Sequence, residues 1–265
     1  MKRPQVVAHR GSSARHADNS WAAFEAAVAE GADAIECDVQ ATRDGILVIR
    51  HDLLVDERAI VDSSAADIEA RTGALVTLQQ LLAWAAPAAI ELLVEIKDPD
   101  VAAAVADAIA KSAMRDRCVI ASFDALALAT VRGRWNDATT SFMMGSVVDA
   151  GALVHLARSC QANGVHLCWE NRAPRPHRLV DRAMFGLLRD ADLAITLWHE
   201  EREGELRALV ALGPDAICSN TPAALRRIVD MHCAAGADAG EGGGGATVTT
   251  THPADGKQLA QHPKR

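Results

Sequence analysis

The sequence contains no tyrosine and only 3% aromatic residues, so any buried core must be built from Ala, Val, Leu and Ile. Its six cysteines, Cys37, Cys118, Cys160, Cys168, Cys218 and Cys233, form no C-x-x-C pair. That excludes the usual cysteine-rich zinc and redox motifs and suits small buried apolar residues in a reducing compartment. Basic residues are outnumbered, with 27 Lys and Arg against 35 Asp and Glu and a net charge of −8. This balance provides no footprint for nucleic acid. Long hydrophobic runs are missing too: the stretch from Leu81 to Ile90 is interrupted by Pro87 and falls short of the roughly 20 residues a membrane span needs. Met1-Lys2-Arg3-Pro4 runs straight into a strand-like segment without the apolar region of a secretory signal, so the expected location is the cytoplasm, without membrane insertion.

What is present is an apolar majority. Over 265 residues, 49% are hydrophobic and 23% charged, enough to bury a core and to exclude wholesale disorder. Short aliphatic runs alternate with longer Ala-rich stretches of helical period, the signature of a parallel sheet covered by helices. The strand-like runs are Gln5–Ala8, Ala34–Val39, Leu92–Ile96, Cys118–Ser122, Ser141–Met144, Val165–Cys168, Leu193–Trp198 and Ala216–Ser219. Helical stretches follow at Ser20–Glu30, Leu78–Ala85, Val101–Ser112, Ala125–Arg134, Ala152–Cys160, His177–Arg189, Glu203–Leu212 and Pro222–Cys233. Eight such units predict an α/β (β/α)8 TIM barrel over residues 1–235. An extra strand, Ile46–Arg50, follows the hairpin dipeptide Asp44-Gly45, and Leu53–Val76 reads as a short insertion after the second unit. From 236 to 265 the composition turns Gly-rich and polar, and this segment is expected to be a disordered tail in which His252 and His262 are incidental.

A strand places residues i and i+2 on one face. Glu36 and Asp38 therefore point together, with Ile35, Cys37 and Val39 opposite, and Glu95 shares a face with Lys97. Charges inside apolar strands are costly unless paired or metal-bound. A Glu95–Lys97 ion pair is one reading; a functional rim is the other, because these charges fall at the C-terminal strand ends where barrel active sites sit. His9-Arg10-Gly11 ends the first strand and His51-Asp52 ends the extra one. Glu36, Asp38 and Glu95 supply three hard oxygen ligands suited to Mg²⁺ or Ca²⁺. Arg10 and Lys97 would clamp a phosphate whose other oxygens meet the cation.

Ala8-His9-Arg10-Gly11, Asp18-Asn19-Ser20, Gly31 through Val39, Thr42-Arg43-Asp44-Gly45 and His51-Asp52 together resemble the glycerophosphodiester phosphodiesterases. The likeness continues through Thr77-Leu78, Val94-Glu95-Ile96-Lys97, Ala121-Ser122-Phe123, Trp198, Gly213 through Ile217, and Asn220-Thr221-Pro222, covering about residues 5–232. The resemblance implies a (β/α)8 barrel, a divalent metal, and hydrolysis of glycerophosphodiesters to glycerol 3-phosphate and an alcohol. His9 and His51 match its acid/base pair, Glu36, Asp38 and Glu95 its metal ligands, and Arg10 and Lys97 its phosphate contacts. Trp198 stands at a matching pocket position.

Three departures stand out. Asp18 replaces a glutamate of the family pattern, which makes it an additional site residue reaching metal or substrate through water. The family's Trp-Thr-Val-Asn becomes Trp198-His199-Glu200-Glu201. The insertion after His51 is short, which leaves a small lid.

His51 is assigned as the acid, oriented by Asp52, with His9 the other partner, although sequence alone does not separate their roles. Lysophospholipase D-like or phosphatidylinositol phospholipase-like chemistry is an alternative, as is non-catalytic binding of phosphate esters. The polar run Glu200 to Glu203 speaks against a lipid substrate. Cys168-Trp169-Glu170 either lines the pocket or closes the core, while His155 and His166 read as structural.

Overall fold

The computed structural model describes residues 3–169 and 172–241, with side chains to 235. In chain order the elements are β1 (Gln5–His9), α1 (Trp21–Ala29), β2 (Ala34–Ala41), β3 (Leu47–Ile49), β4 (Leu54–Val55), β5 (Arg58–Ala59), α2 (Ala65–Thr72) and α3 (Leu78–Ala85). There follow β6 (Glu91–Ile96), α4 (Ala102–Ala110), β7 (Cys118–Ser122), α5 (Ala125–Arg134), β8 (Thr139–Met144) and α6 (Ala150–Ser159). The last part contains β9 (Gly164–Cys168), α7 (Arg182–Asp190), β10 (Ala194–Trp198), α8 (Glu203–Leu212), β11 (Ala216–Ser219) and α9 (Pro222–Glu241).

Eight strands run parallel in the order β1, β11, β10, β9, β8, β7, β6, β2, and the β1–β2 pairing closes the ring. The result is a (β/α)8 barrel, with β3 added antiparallel to β2. The strand period sorts each side chain. Ile35, Cys37 and Val39 of β2 join an outer core with Phe24, Leu81 and Ile109 of the helices. Val7, Ala34, Ala216 and Cys218 cluster separately, as the inward residues of their strands. Phe142, Val165, Ile195 and Ile217 form the outer core on the other side, against Leu153, Leu188 and Leu209.

Helix starts follow the expected polar caps. Ser20 accepts the N–H of Ala23, and Thr77 makes a reciprocal cap with Gln80. At the other end Gly213 closes α8 in the left-handed region.

The structure differs from the sequence expectation in several elements. The insertion after β3 holds its own hairpin, β4–β5, and α2, whose only buried residue is Ile68. With one apolar anchor there is no stripe for a periodicity argument to detect. The helix expected over His177–Arg189 starts at Arg182, because a separate short turn, Pro176–Arg178, precedes it. Helix α9 continues to Glu241, past the change in composition at 236. The rest of the expected tail, with His252 and His262, lies outside the described residues, as does Glu170. All six cysteines are free thiols, five of them buried, and no described helix is long and apolar enough to cross a membrane.

Candidate active site

The turn after β1 is built around Gly11. Its φ is +83°, and a Cβ there would lie 2.6 Å from the backbone of Ala23, so only glycine fits. Arg10 beside it is also left-handed, at φ 56°, a strained conformation of the kind stored at functional sites. The strain has a partner: the Arg10 backbone N–H donates to Glu36 Oε2 at 2.9 Å. Asn19, another left-handed residue at φ 54°, donates its side-chain amide to Asp38 Oδ2 at 2.8 Å.

Inside the barrel mouth Glu36, Asp38 and Glu95 are buried, and one carboxylate oxygen from each lies within 4.8 Å of the others. The β2–β6 register sets Asp38 directly beside Glu95. Lys97 Nζ is 2.6 Å from Glu95 Oε1 and 2.8 Å from Asp38 Oδ1. Arg10 Nε is 3.2 Å from Asp38 Oδ2, and its Nη1 reaches Asp18 at 3.1 Å. The ion pair and the carboxylate cluster considered above are therefore both present, in one group.

Burial drives the electrostatics. Burial and the charges of Asp38 and Glu95 push the Glu36 carboxyl well above its ordinary value. Glu95 is pushed up to about 7, by burial and then by Asp38. Asp38 is held low despite its burial, because Lys97 and Arg10 flank it and Asn19 hydrogen-bonds it.

The cluster fits a divalent cation. Glu36 Oε1 and Glu95 Oε2 are buried without a hydrogen-bond partner, and the donors are hard oxygens. With all three carboxylates ionised, as ligation requires, they leave one negative charge against the two cations Arg10 and Lys97; a divalent ion would invert that and suit an anionic ligand.

His9 ends β1 beside this cluster, its Nε2 3.8 Å from Glu36 Oε2. Its Nδ1 sits 2.6 Å from Asn220 Oδ1, an oxygen that also lies 2.8 Å from Ser13 Oγ. A proton on Nδ1 satisfies that oxygen as the Ser13 hydroxyl does, and this tautomer leaves the lone pair on Nε2. Burial pushes the His9 pKa well down, with the charges of Arg10 and His199 acting in the same direction. Trp198 meets the ring edge-on at 5.1 Å.

His51 stands at the rim with Nδ1 2.9 Å from Asp52 Oδ1. It lines a cavity of about 200 Å³ together with Asp18, Trp21, Arg50 and Asp52. Asp18 thus sits on the His51 side of the site and contacts Arg10 rather than the acidic triad.

Sequence reading does not single out Ser13, Asn19 or Asn220 as site residues, and it treats His199 and Glu201 only as departures. Asn19 and Asn220 do lie in the stretches that carry the family resemblance. Trp169 belongs to the core: it is buried within the outer cluster, and its Nε1 donates to the Ser146 carbonyl. His166 is fully buried, its ring 5.5 Å from that of Trp198.

A model of the glycerophosphoryl diester phosphodiesterase family matches residues 9–224. The chain belongs to this family. A glycerophosphodiester phosphodiesterase of Caldanaerobacter subterraneus is 26% identical over 84% of this chain and 97% of its own length. A Mycobacterium tuberculosis protein provisionally given that activity is 55% identical over 53 residues, 20% of this chain but only 19% of the relative's length. Among solved structures, a Thermotoga maritima glycerophosphodiester phosphodiesterase superposes with a TM-score of 0.70 at 20% identity, over 86% of this chain and 100% of that one. An Oleispira antarctica phosphodiesterase, solved in complex with the product sn-glycerol-3-phosphate, gives 0.72 at 20% identity, over 86% and 97%. At such identities these structures establish the shared barrel.

Proposed function

We propose that this family member hydrolyses glycerophosphodiesters to glycerol 3-phosphate and an alcohol, with Mg²⁺ or Ca²⁺ held by Glu36, Asp38 and Glu95. The observation that carries this reading is the buried triad flanked by Lys97 and Arg10, with the lone pair of His9 Nε2 beside it. When bound, the cation supplies charge neutralisation at the phosphoryl oxygens.

The remaining work falls to the chain's own side chains. Arg10 and Lys97 bind the non-bridging oxygens and fix the phosphorus in line. His9 Nε2 takes the proton from the nucleophile as its oxygen bonds to phosphorus: water gives glycerol 3-phosphate directly, whereas the substrate's glycerol 2-hydroxyl gives a cyclic phosphate that a second attack, by water, opens to glycerol 3-phosphate. His51, held by Asp52, gives a proton to the departing alcohol oxygen as the phosphorus–oxygen bond breaks. Since His51 lines the cavity with Asp18, Trp21 and Arg50, the alcohol half is assigned to that polar space. Trp198 packs on the glycerol side, against His9.

The test is release of glycerol 3-phosphate from a panel of glycerophosphodiesters. His9→Ala and His51→Ala should each lower turnover by at least about a hundredfold; near-wild-type turnover in either would overturn the scheme. Binding without turnover in the wild-type chain would favour a phosphate-ester binding protein.

A lysophospholipid substrate has one supporting observation. Phe123, Leu126 and Val147, just beyond the C-terminal ends of β7 and β8, are 44%, 69% and 50% exposed and form an apolar part of the rim. Glu200, by contrast, is buried and paired with Arg202, so it presents no charge against an acyl chain. Including lysophosphatidylcholine in the panel separates the two substrate classes. The free, mostly buried thiols support a reducing cytoplasmic setting.

A further inference from the structure

His199 and Glu201 lie in the loop after β10. The His199 imidazole stacks on that of His9, with ring centroids 4.5 Å apart and planes 20° from parallel. Trp198 meets His9 edge-on, at an interplanar angle of 82°. Asn220 holds the ring at one point, through its contact to Nδ1. Glu201 links these constraints: its Oε1 accepts the backbone N–H of Asn220 at 2.9 Å and lies 3.0 Å from His199 Nδ1. The side-chain amide of Asn220 is also 3.3 Å from His199 Nδ1. One carboxylate thus holds both the ring that covers His9 and the backbone of the residue that binds its Nδ1.

We propose that His199, anchored by Glu201, is a positioning residue for His9: it fixes the plane of the His9 imidazole so that Nε2 stays aimed into the phosphoryl site. The inference rests on the reading of His9 as the base. The χ2 torsion of histidine is broad and roughly two-fold, so a single contact at Nδ1 narrows the tilt of the ring without fixing it. General-base catalysis tolerates only about 10–20° of misalignment. A stacked ring on one face removes that freedom, and its effect should fall on turnover rather than on substrate affinity.

The experiment compares the wild-type full-length chain with His199→Ala and His199→Phe in Mg²⁺, using glycerophosphocholine as the probe and ¹⁵N-histidine labelling to read the His9 ring. The alanine variant should lose about tenfold in kcat with KM within about twofold, and its His9 nitrogen signals should shift and broaden as the ring samples more than one tilt. The phenylalanine variant, which keeps a flat face, should recover to within about threefold of wild type. If the alanine chain fails to fold, His199→Thr removes the flat face equally well.

Wild-type kcat in the alanine variant, KM rising as kcat falls, or phenylalanine behaving no better than alanine would overturn the proposal. If the wild-type chain releases no glycerol 3-phosphate, it is the phosphodiesterase reading that fails. The nitrogen spectra then still decide the clamp, and unchanged His9 signals in the alanine variant would reject it.

Discussion

Asn19 and Asp38 are joined across the barrel mouth: the amide of a left-handed residue before α1 donates to a carboxylate in the middle of β2 at 2.8 Å. Lys97 and Arg10 occupy other directions around Asp38, so the amide fixes how the remaining carboxylate surface faces the triad. Asn19→Ala should weaken divalent-cation binding about 10- to 100-fold, the usual effect of removing a group that orients a metal ligand. Calorimetric titration of Mg²⁺ or Ca²⁺ into both proteins measures this, and equal affinities would show that Asn19 serves only the turn.

The triad itself predicts a stability response. A cation that binds only the folded chain stabilises it by about 2.7 kcal/mol at a hundred times its dissociation constant. Melting curves should therefore move upward with added Mg²⁺ or Ca²⁺. Glu95→Gln removes one of the three carboxylates and should abolish most of the shift. Chelation should likewise remove activity reversibly, and turnover unaffected by complete cation removal would sink the metal assignment.

Gly11 should not tolerate a side chain. Both its positive φ and the 2.6 Å approach to Ala23 oppose alanine, and strain of this kind costs about 1–3 kcal/mol. Gly11→Ala is expected to lower the melting temperature by several degrees or more, with activity falling because the Arg10 backbone N–H leaves Glu36. Gly45, whose φ is also positive but which has open space around it, provides the control: Gly45→Ala should cost less.

His166 predicts a pH dependence. It is fully buried with neither ring nitrogen hydrogen-bonded, and burial pushes its pKa from 6.5 down to about 3. The unfolded chain therefore binds the proton first as pH falls. Stability present above about pH 6.5 should be lost toward pH 3, at about 1.4 kcal/mol per pH unit. Denaturant unfolding of wild type and His166→Asn at pH 7 and pH 5 isolates this contribution, because Glu36 and Glu95 titrate in both proteins. The difference between the two stabilities should change by about 2 kcal/mol; a pH-independent difference would place a proton on His166 in the folded state.

Much of this molecule follows from local pattern. The two-residue strand period in Ile35–Val39 determines that Glu36 and Asp38 share a face and that Ile35, Cys37 and Val39 meet the helices, as they do. Alternating strand and helix signals determine the eight-unit barrel, since each strand's apolar outer face requires a helix to cover it. Helix α2 escaped the same logic because a single buried side chain, Ile68, has no period.

Ring closure decided the rest. His9 and Asn220 lie at opposite ends of the chain, and nothing in either segment points to the other. They meet because β1 pairs with β11 in a register that sets Ala8 beside Ser219, and His9 and Asn220 are the residues that follow these two. The stacking of His199 on His9 and the double role of Glu201 likewise arise where the β10 loop reaches the first strand. Local sequence sets which way a side chain points; only the closed, registered sheet determines which distant residues it points toward.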